Sequence, residues 1–360
     1  MSDQGSRLLK KPTVNDIARV AGVSLATVDR VLNMRPGVRG VTIDKVNKAI
    51  AQLGYVRDTA AANLARRRHY RLLFVLPETT NEFVFALREA IDEQSGKQHD
   101  QRTTLAALSV PPFDPQAIVE VLDRLDAGST DGVALFGPET PSVRDAVNRA
   151  QARGIAVVAL VSDLPSSDRH HFVGFDNIAA GRTAASLMGR FVRGPGRILV
   201  ITGSRLARDH LERRTGFDAV MSEEFPELEV VASIEGRDDP DLIQKLLPDV
   251  FKAYPDICGI YSSAAGNPGL IRFLEATGPY DDLVVVAHEL TPASRAALAS
   301  GLFDAIISQD TGHLVRSAVR LLKATADQAP FDQTQERIRI DIYVRENMPA
   351  AYSDIGRIRL

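Results

Sequence analysis

The residues of this 360-residue chain best suited to chemistry stand at the ends of short apolar runs, and their types point to recognition rather than bond breaking. Asn81, Glu82 and Phe83 follow the run RLLFVLPE, Ser162 and Asp163 end IAVVALVSD, and Asp176 and Asn177 follow HHFVGF. Hydrogen-bonding groups beside one aromatic ring suit a sugar ring or polyol. No G-x-S-x-G elbow, phosphate loop, H-E-x-x-H or G-x-G-x-x-G is present. Gly194-Pro195-Gly196 precedes a strand run, whereas a dinucleotide fingerprint follows one, so it reads as a turn. His170 and His171 are adjacent and point apart on a strand, and His288-Glu289 lacks the second helical His of a zinc protease. The single cysteine, Cys258, excludes an internal disulfide and a cysteine-cluster metal site. The reading is therefore non-enzymatic, with no cofactor and no metal.

A second group lies near the N-terminus. Leu25, Ala26, Asp29 and Arg30, at i, i+1, i+4 and i+5, share one outward helical face. Thr13 can cap a preceding helix, with Asp16 in its first turn, and Val14, Ile17, Ala18 and Ala21 recur at helical spacing. Gly22 breaks that pattern and Ser24 can cap the next helix, in which Val28, Val31 and Leu32 face inward. Two capped helices around a short Gly-containing turn make a helix-turn-helix, whose second helix enters the DNA major groove. Thr42 is expected to cap a third helix, with Val46, Ala49, Ile50 and Leu53 closing a small core, Gly54 ending it and Tyr55 packing beneath.

Charge separates along the chain. Residues 1–68 hold 13 Lys and Arg against 5 Asp and Glu, a net +8, which leaves −11 for the remainder of a chain whose total is −3. The cationic part is where a polyanion would be met. The first dozen residues, with Arg7, Lys10 and Lys11, read as a mobile basic arm. With 44% hydrophobic residues the chain has ample material for a large core. No apolar run is long enough to cross a bilayer or serve as a secretory signal, so a cytoplasmic location is expected.

From Arg71 the periodicity changes. Apolar β runs (RLLFVLPE, TTLAALSV, DGVALFGP, IAVVALVSD, HHFVGFD, RILVITG, LEVVASIEG, ICGIYSS, LVVVAHE and DAIISQD) alternate with helical stretches such as Phe83–Gln94, Gln116–Leu125, Thr183–Phe191, Leu211–Glu224 and Leu242–Tyr254. Near-continuous apolar strands between helices imply parallel sheets covered on both faces. The length favours two doubly wound lobes, which bind ligands at the carboxyl ends of their strands.

From Thr13 to Asn33, TVNDIARVAGVSLATVDRVLN resembles the headpiece of the lac repressor family, T-[IV]-x-D-[IV]-A-x-x-A-G-V-S-x-x-T-V-S-R-V-L-N, with Asp29 where the family usually has Ser. The resemblance implies DNA contacts from Thr13, Ser24, Leu25, Ala26, Thr27, Asp29, Arg30, Asn33 and Arg39. It continues through Asp58–Ala65, the place of a hinge helix that folds when two copies meet in the minor groove. There Leu64 would wedge a base step, Ala61 would allow close approach of the paired helices, and Arg57 could meet a phosphate. Asp29 is expected either to accept from a cytosine N4 or to orient Arg30.

The chain from Arg71 to about Met348 is similar to the family's sensor core, itself similar to ribose-type periplasmic binding proteins. This similarity implies ligand contacts from Arg213, three residues before Gly216; from Glu289, where an Asp is usual; and from Gln309. Ser262 stands at the first Asn of a G-I-Y-N-x-G-x-G-N signature. DNIAAGRTAA, Asp176 to Ala185, is expected to cross between lobes with Gly181 allowing close packing.

The expected organisation is an all-α headpiece over 1–57 (arm 1–11), a hinge helix and linker over 58–68, and a two-lobed α/β core over 69–360 of periplasmic-binding-protein type. The first lobe would hold about 69–175 and 310–333, the second about 176–309 and 334–360. Function is expected to be that of a ligand-responsive DNA-binding regulator, most simply a repressor of a sugar or related carbon-source operon, with a sugar-like effector bound between the two core lobes controlling operator affinity. No C-terminal heptad repeat is visible and Glu336 to Met348 alternates as a strand, which favours a homodimer. A transport solute-binding protein or a sugar-processing enzyme is the alternative.

Overall fold

The computed structural model describes residues 12–32, 36–55, 68–98, 102–231, 233–280 and 282–349. The chain divides into two compact units, Met1–Arg68 and His69–Leu360. In the first, α1 (Val14–Ala21), α2 (Leu25–Leu32) and α3 (Gly40–Leu53) enclose a core of Ile17, Ala21, Val28, Val46 and Ala49. Val31, Leu32, Leu53 and Tyr55 pack against it, whereas Val14 is exposed. The Asp16 carboxylate reaches back to accept from the Thr13 N–H at 2.9 Å and its hydroxyl at 2.8 Å, closing the first turn of α1. Gly22 then adopts φ 65°, the left-handed conformation that ends α1 and turns the chain into α2. The third helix begins earlier than expected: Arg39 is its N-cap, and Thr42 donates its N–H to the Arg39 carbonyl within the first turn.

In the second unit the first lobe is built from β1 (Tyr70–Pro77), α4 (Glu82–Gln98), β2 (Thr103–Val110), α5 (Pro115–Arg124), β3 (Gly132–Leu135), α6 (Pro141–Ala152), β4 (Ala156–Leu160) and β5 (His171–Val173). Its strands pair in parallel in the order β2-β1-β3-β4-β5. The second lobe holds α7 (Asn177–Phe191), β6 (Gly196–Thr202), α8 (Arg208–Glu224), β7 (Leu228–Val230), β8 (Ile234–Glu235), α9 (Pro240–Ala253), β9 (Ile257–Ser262), α10 (Asn267–Thr277), β10 (Val284–His288), α11 (Pro292–Ser300) and β11 (Ala305–Ser308). Its sheet runs β11-β10-β9-β6-β7, with β8 paired to β6. The chain then returns: α12 (Thr311–Ala326) packs on β3, β4 and β5 of the first lobe, and β12 (Asp341–Tyr343) adds antiparallel to β11. Only those three residues of the expected Glu336–Met348 strand pair; Glu336 instead meets Arg320 of α12 at 2.7 Å.

Local sequence explains the regularity. Asp114-Pro115, Thr140-Pro141, Asp239-Pro240 and Thr291-Pro292 each pair an N-cap whose side chain accepts backbone N–H groups with a proline at the first helical position. The central strands β3 and β4 are buried along their whole length, which is why they read as continuous apolar runs. One apolar cluster continues through both lobes, from Phe74 and Val158 through Phe175 and Ala184 to Tyr261 and Leu314.

Helix α7 starts at Asn177, so the lobe crossing is confined to the residues between β5 and Asp176, and the rest of DNIAAGRTAA is helix. It lies backbone to backbone on α8. A Cβ on Gly181 would stand 1.9 Å from the Arg213 carbonyl oxygen, and one on Gly216 would stand 2.1 Å from that of Ile178. Gly181→Ala must therefore push the helices apart. We expect a loss of about 3 kcal/mol, at the upper end of ordinary overpacking costs, read by urea denaturation. An unchanged midpoint would show that α7 and α8 can separate freely.

Candidate functional site

In the first unit, α2 presents Leu25, Ala26, Asp29 and Arg30 as exposed side chains, Leu25 at 50%. Ser24 precedes the helix as its cap: its hydroxyl accepts from the Thr27 N–H at 3.2 Å and pairs with the Thr27 hydroxyl at 2.9 Å. Thr13 and Arg39 are exposed at the starts of α1 and α3. Asn33, Arg57, Ala61 and Leu64, and the Asp58–Ala65 segment as a whole, lie outside the described residues.

In the second unit a cavity opens between the carboxyl ends of the two sheets, where the strand order of a doubly wound sheet reverses. The space open to the centre of a water molecule is about 110 Å³. Asn81 and Phe83 line it from the first lobe, with Phe113, Phe136 and Ser162; Asp209, His210, Arg213, Asp238, His288 and Glu289 line it from the second. Phe83 is buried, and Asn81 accepts from the Phe83 N–H at 2.9 Å, so it starts α4 while facing the cavity.

The guanidinium of Arg213, 3% exposed, is the centre of the polar network. Its Nε donates to Asn177 Oδ1 at 2.9 Å and its Nη1 to the Ser263 carbonyl at 2.9 Å. Its Nη2 faces Asp209 Oδ2 at 3.8 Å and Glu289 Oε1 at 4.0 Å, and its carbon lies 5.2 Å from the Phe175 ring centre. Glu289 accepts from Gln309 through both backbone and side chain and from the Ser308 hydroxyl. Burial pushes the Glu289 carboxyl above the usual range, opposed by Arg213 and these hydrogen bonds. Burial likewise raises Asp238. His210 Nδ1 accepts from the Ser204 N–H at 3.2 Å, which places the ring hydrogen on Nε2, 3.5 Å from Asp209 Oδ2.

Deeper still, His288 Nε2 meets the Tyr261 hydroxyl at 2.9 Å, both side chains fully enclosed. Burial drives the His288 imidazole far below its usual pKa, so it is neutral, and raises the Tyr261 phenol. Among the described residues, the buried polar atoms without a partner are Asn177 Nδ2, Asp209 Oδ1, His288 Nδ1 and Gln309 Oε1, all in or directly behind this cavity. Such atoms are costly unless something else supplies the bond.

The backbone is strained in the same place. Of seven described non-glycine residues with positive φ, five line the cavity: Phe113, Val161, Arg237, Asp238 and Glu289. Each such position costs on the order of 1–3 kcal/mol, and a β-branched Val161 is an outlier among them.

Several expected ligand contacts take other roles. Asp163 turns away into an ion pair with Arg169, whose Nη2 lies 2.7 Å from it, because a buried-side carboxylate beside a local Arg is satisfied within its own loop. Asp176 is exposed and caps α7 by accepting from the Ala179 N–H at 2.9 Å, while its neighbour Asn177 turns inward to Arg213. Ser262 is buried behind the cavity wall, donating to Asn267 Oδ1 at 2.7 Å, and Gln309 likewise sits behind Glu289. Arg213, Glu289, Asn81, Phe83 and Ser162 are brought together.

The lips of the cavity are joined by polar contacts. Arg208 meets Glu139 at 2.7 Å and the Ala293 N–H reaches Glu82 at 3.3 Å, while in the buried interior the Asp209 N–H reaches Ser162 Oγ at 3.4 Å.

Residues 72–330 match the model for a periplasmic binding protein domain, and residues 13–58 match that for bacterial regulatory proteins of the lacI family. The chain belongs to the periplasmic binding protein domain family through its core; its headpiece is similar to the lacI-family regulatory proteins over the matched residues. Its sequence is 30% identical to catabolite control protein A of Streptococcus mutans over 192 residues, 51% of this chain and 55% of that protein. For the protein of the same name from Staphylococcus aureus the identity is 25% over 194 residues, again 55% of the relative, so the chain spans about half the length of the curated relatives it matches. The core fold is shared with GanP, a glucose-galactose binding protein from Geobacillus stearothermophilus (18% identity, TM-score 0.70, 79% of this chain and all of that one). It is also shared with a Burkholderia graminis solute-binding protein in complex with D-arabinose (23% identity, TM-score 0.69, 78% of this chain and 97% of that one).

Within this periplasmic-binding core, the cavity residues not anticipated include Asp209, His210, Asp238 and His288, the last paired with Tyr261 behind it. Asp209 stands four residues before Arg213 on α8, and that i,i+4 spacing was the available signal. In Gly236-Arg237-Asp238-Asp239-Pro240, nothing in residue type tells the cap, Asp239, from the cavity residue, Asp238.

A pH dependence follows from the raised carboxyls. The folded chain holds the Glu289 and Asp238 protons more tightly than the unfolded chain does. Their stabilising contribution is therefore complete below the ordinary carboxylate range and is lost as pH rises through the raised folded values. Urea denaturation without ligand between roughly pH 4 and pH 8 should show this component as a decline in unfolding free energy with pH. Glu289→Gln should flatten the decline; a slope unaltered by that substitution would contradict the assignment.

Proposed function

We propose that the chain is a ligand-responsive DNA-binding transcriptional regulator, a cytoplasmic homodimer that represses a sugar or related carbon-source operon. The observation that supports it most is the pairing, on one chain, of an exposed α2 face in a segment of net +8 with a cleft whose buried polar atoms await partners. Relatives at the sequence level are named for catabolite control, and relatives of the core fold are sugar-binding. A transporter's solute-binding protein would account for the cleft alone and leave the helix-turn-helix without a role. The curated relatives are named for catabolite control, which speaks against a sugar-processing enzyme. Among the described residues no helix is long and apolar enough to cross a membrane.

In this reading α2 lies in the major groove, with Leu25, Ala26, Asp29 and Arg30 at base edges and Thr13, Ser24, Thr27 and Arg39 near the backbone. Asn33 and Arg57 extend that contact, and paired Asp58–Ala65 segments would bring Leu64 and Ala61 to the minor groove. A sugar or polyol held by Arg213, Glu289, Asn81 and Phe83 would favour the closed lobes. It changes operator affinity only as far as it binds the two states unequally.

Gel-shift titration of DNA from upstream of the chain's own gene, with and without candidate sugars and polyols, tests the whole reading. A shift that a ligand relieves is expected, with affinity falling steeply as salt rises. Tight sugar binding without any shift would sink it. Arg30→Ala should weaken operator binding about 10- to 100-fold, the range for losing one specific base contact, with the core's thermal midpoint unchanged. Asp29→Ser should alter operator preference; if affinity and preference both stay, Asp29 is a bystander.

A further inference from the structure

The charges within the cleft are unequal. Asp209, Asp238 and Glu289 bring three carboxylates to its walls, and Glu82 adds a fourth at the lip. Against them stand Arg213 and the exposed Arg237, with the imidazole of His210 beside Asp209. Arg213 has no open fork to offer an anion: Nε and Nη1 are engaged by Asn177 and Ser263, and Nη2 is turned to Asp209 and Glu289. A phosphate or carboxylate seated here would meet an occupied guanidinium and three like charges.

Two residues that line the cavity each carry a buried side-chain atom without a partner, and the two atoms differ in character. Asp209, 3% exposed, turns Oδ2 towards Arg213 and His210 but leaves Oδ1 with no donor. His288, 1% exposed, leaves Nδ1 unpartnered. The Tyr261 hydroxyl and His288 Nε2 share one hydrogen bond, and the arrangement that uses the phenol hydrogen, with Tyr261 as donor, puts the hydrogen of the neutral imidazole on Nδ1. The cavity thus asks for a donor at Asp209 and an acceptor at His288. A hydroxyl would supply the first bond but would leave the excess negative charge buried; an ammonium supplies donors and charge together.

We infer that the effector is a cationic polyol, an amino sugar or aminopolyol, whose ammonium sits against Asp209 with Asp238 and Glu289 around it and whose hydroxyl or ring oxygen accepts from His288. This deepens the proposed sensor role of the cleft and rests on it. Burial raises the Asp238 and Glu289 carboxyls, and an ammonium beside them would lower them again.

The test uses the full chain and matched probes: hexosamines and 1-amino-1-deoxyalditols, their neutral parents, their N-acetyl forms, and the corresponding sugar phosphates and aldonates. Thermal shift and calorimetry are expected to show binding of an amine at least about tenfold tighter than its neutral parent and N-acetyl form, a difference of one decade in affinity. Anionic members should not bind. Asp209→Asn should abolish the preference for the amine while leaving operator binding in place; if that variant does not fold, Asp238→Asn serves the same comparison. Neutral or anionic members binding as tightly as amines would overturn the cationic effector, as would an amine preference that survives in the variant. Neutral binding that relieves the operator shift would leave the sensor role standing. No shift from any class would overturn the cationic effector and remove the support for a sugar-sensing cleft.

Discussion

A guanidinium enclosed almost completely by protein sets the terms for the core. Arg213 cannot shed its charge, so every neighbour has to make that charge tolerable. Asn177 and the Ser263 carbonyl take its hydrogen bonds, Asp209 and Glu289 take its charge, and the Phe175 face takes its flat surface. These partners arrive from α7, the end of β9, α8 and the end of β10. The arrangement therefore exists only when the second lobe is assembled. Placing it demands that α7 and α8 touch through their backbones at Gly181 and Gly216, so a packing constraint far from solvent controls where the guanidinium points.

The same site gathers the chain's strain. Positive φ at Val161, Asp238 and Glu289 turns side chains that would otherwise continue along a strand or loop into the cavity. Such conformations persist where surrounding contacts over-determine them. At Glu289 those contacts are explicit: its N–H donates to Ile307 at 2.8 Å, its carbonyl accepts from Ser294 Oγ at 2.5 Å, and its carboxylate is held by Gln309 and Ser308. Gln309 and Ser262 thus belong to the support of the site rather than to its surface.

Much of the fold was readable because its rules are local. Buried parallel strands leave uninterrupted apolar runs, and a capping residue before proline announces each of several helices. The helix-turn-helix was legible for the same reason, since Gly22 and Ser24 act within a turn. What stayed hidden depended on direction. Asp163 and Ser162 are neighbours in sequence, yet one pairs with Arg169 and the other lines the cavity. Asp176 and Asn177 divide in the same way between a helix cap and Arg213. Tyr261 and His288 come from different strands and meet only through sheet pairing, so no spacing reveals them. Strand ends identify a neighbourhood; the backbone turn at each end decides which residue of a pair enters it.

The two lobes are held in unequal ways, and this bears on how a ligand could act. On the crossing side the apolar cluster runs unbroken from Phe74 through Phe175 to Tyr261. At the lips, among the described residues, the contacts are polar: the Arg208–Glu139 ion pair, with its side chains 35% and 17% exposed, and a long hydrogen bond from the Ala293 N–H to Glu82 at 3.3 Å. A partly exposed ion pair contributes about 1 kcal/mol or less, and hydrogen bonds of that length add little. Closure therefore has no large reserve of protein–protein energy at the lips, and the buried atoms left unpaired inside weigh against it. A ligand that completes those bonds would act on a nearly balanced equilibrium. A differential of a few kcal/mol between open and closed forms is then sufficient to move most of the population. The incompleteness of the cleft and the weakness of its lips are in this sense one property: each leaves to the ligand a decision the protein does not make alone.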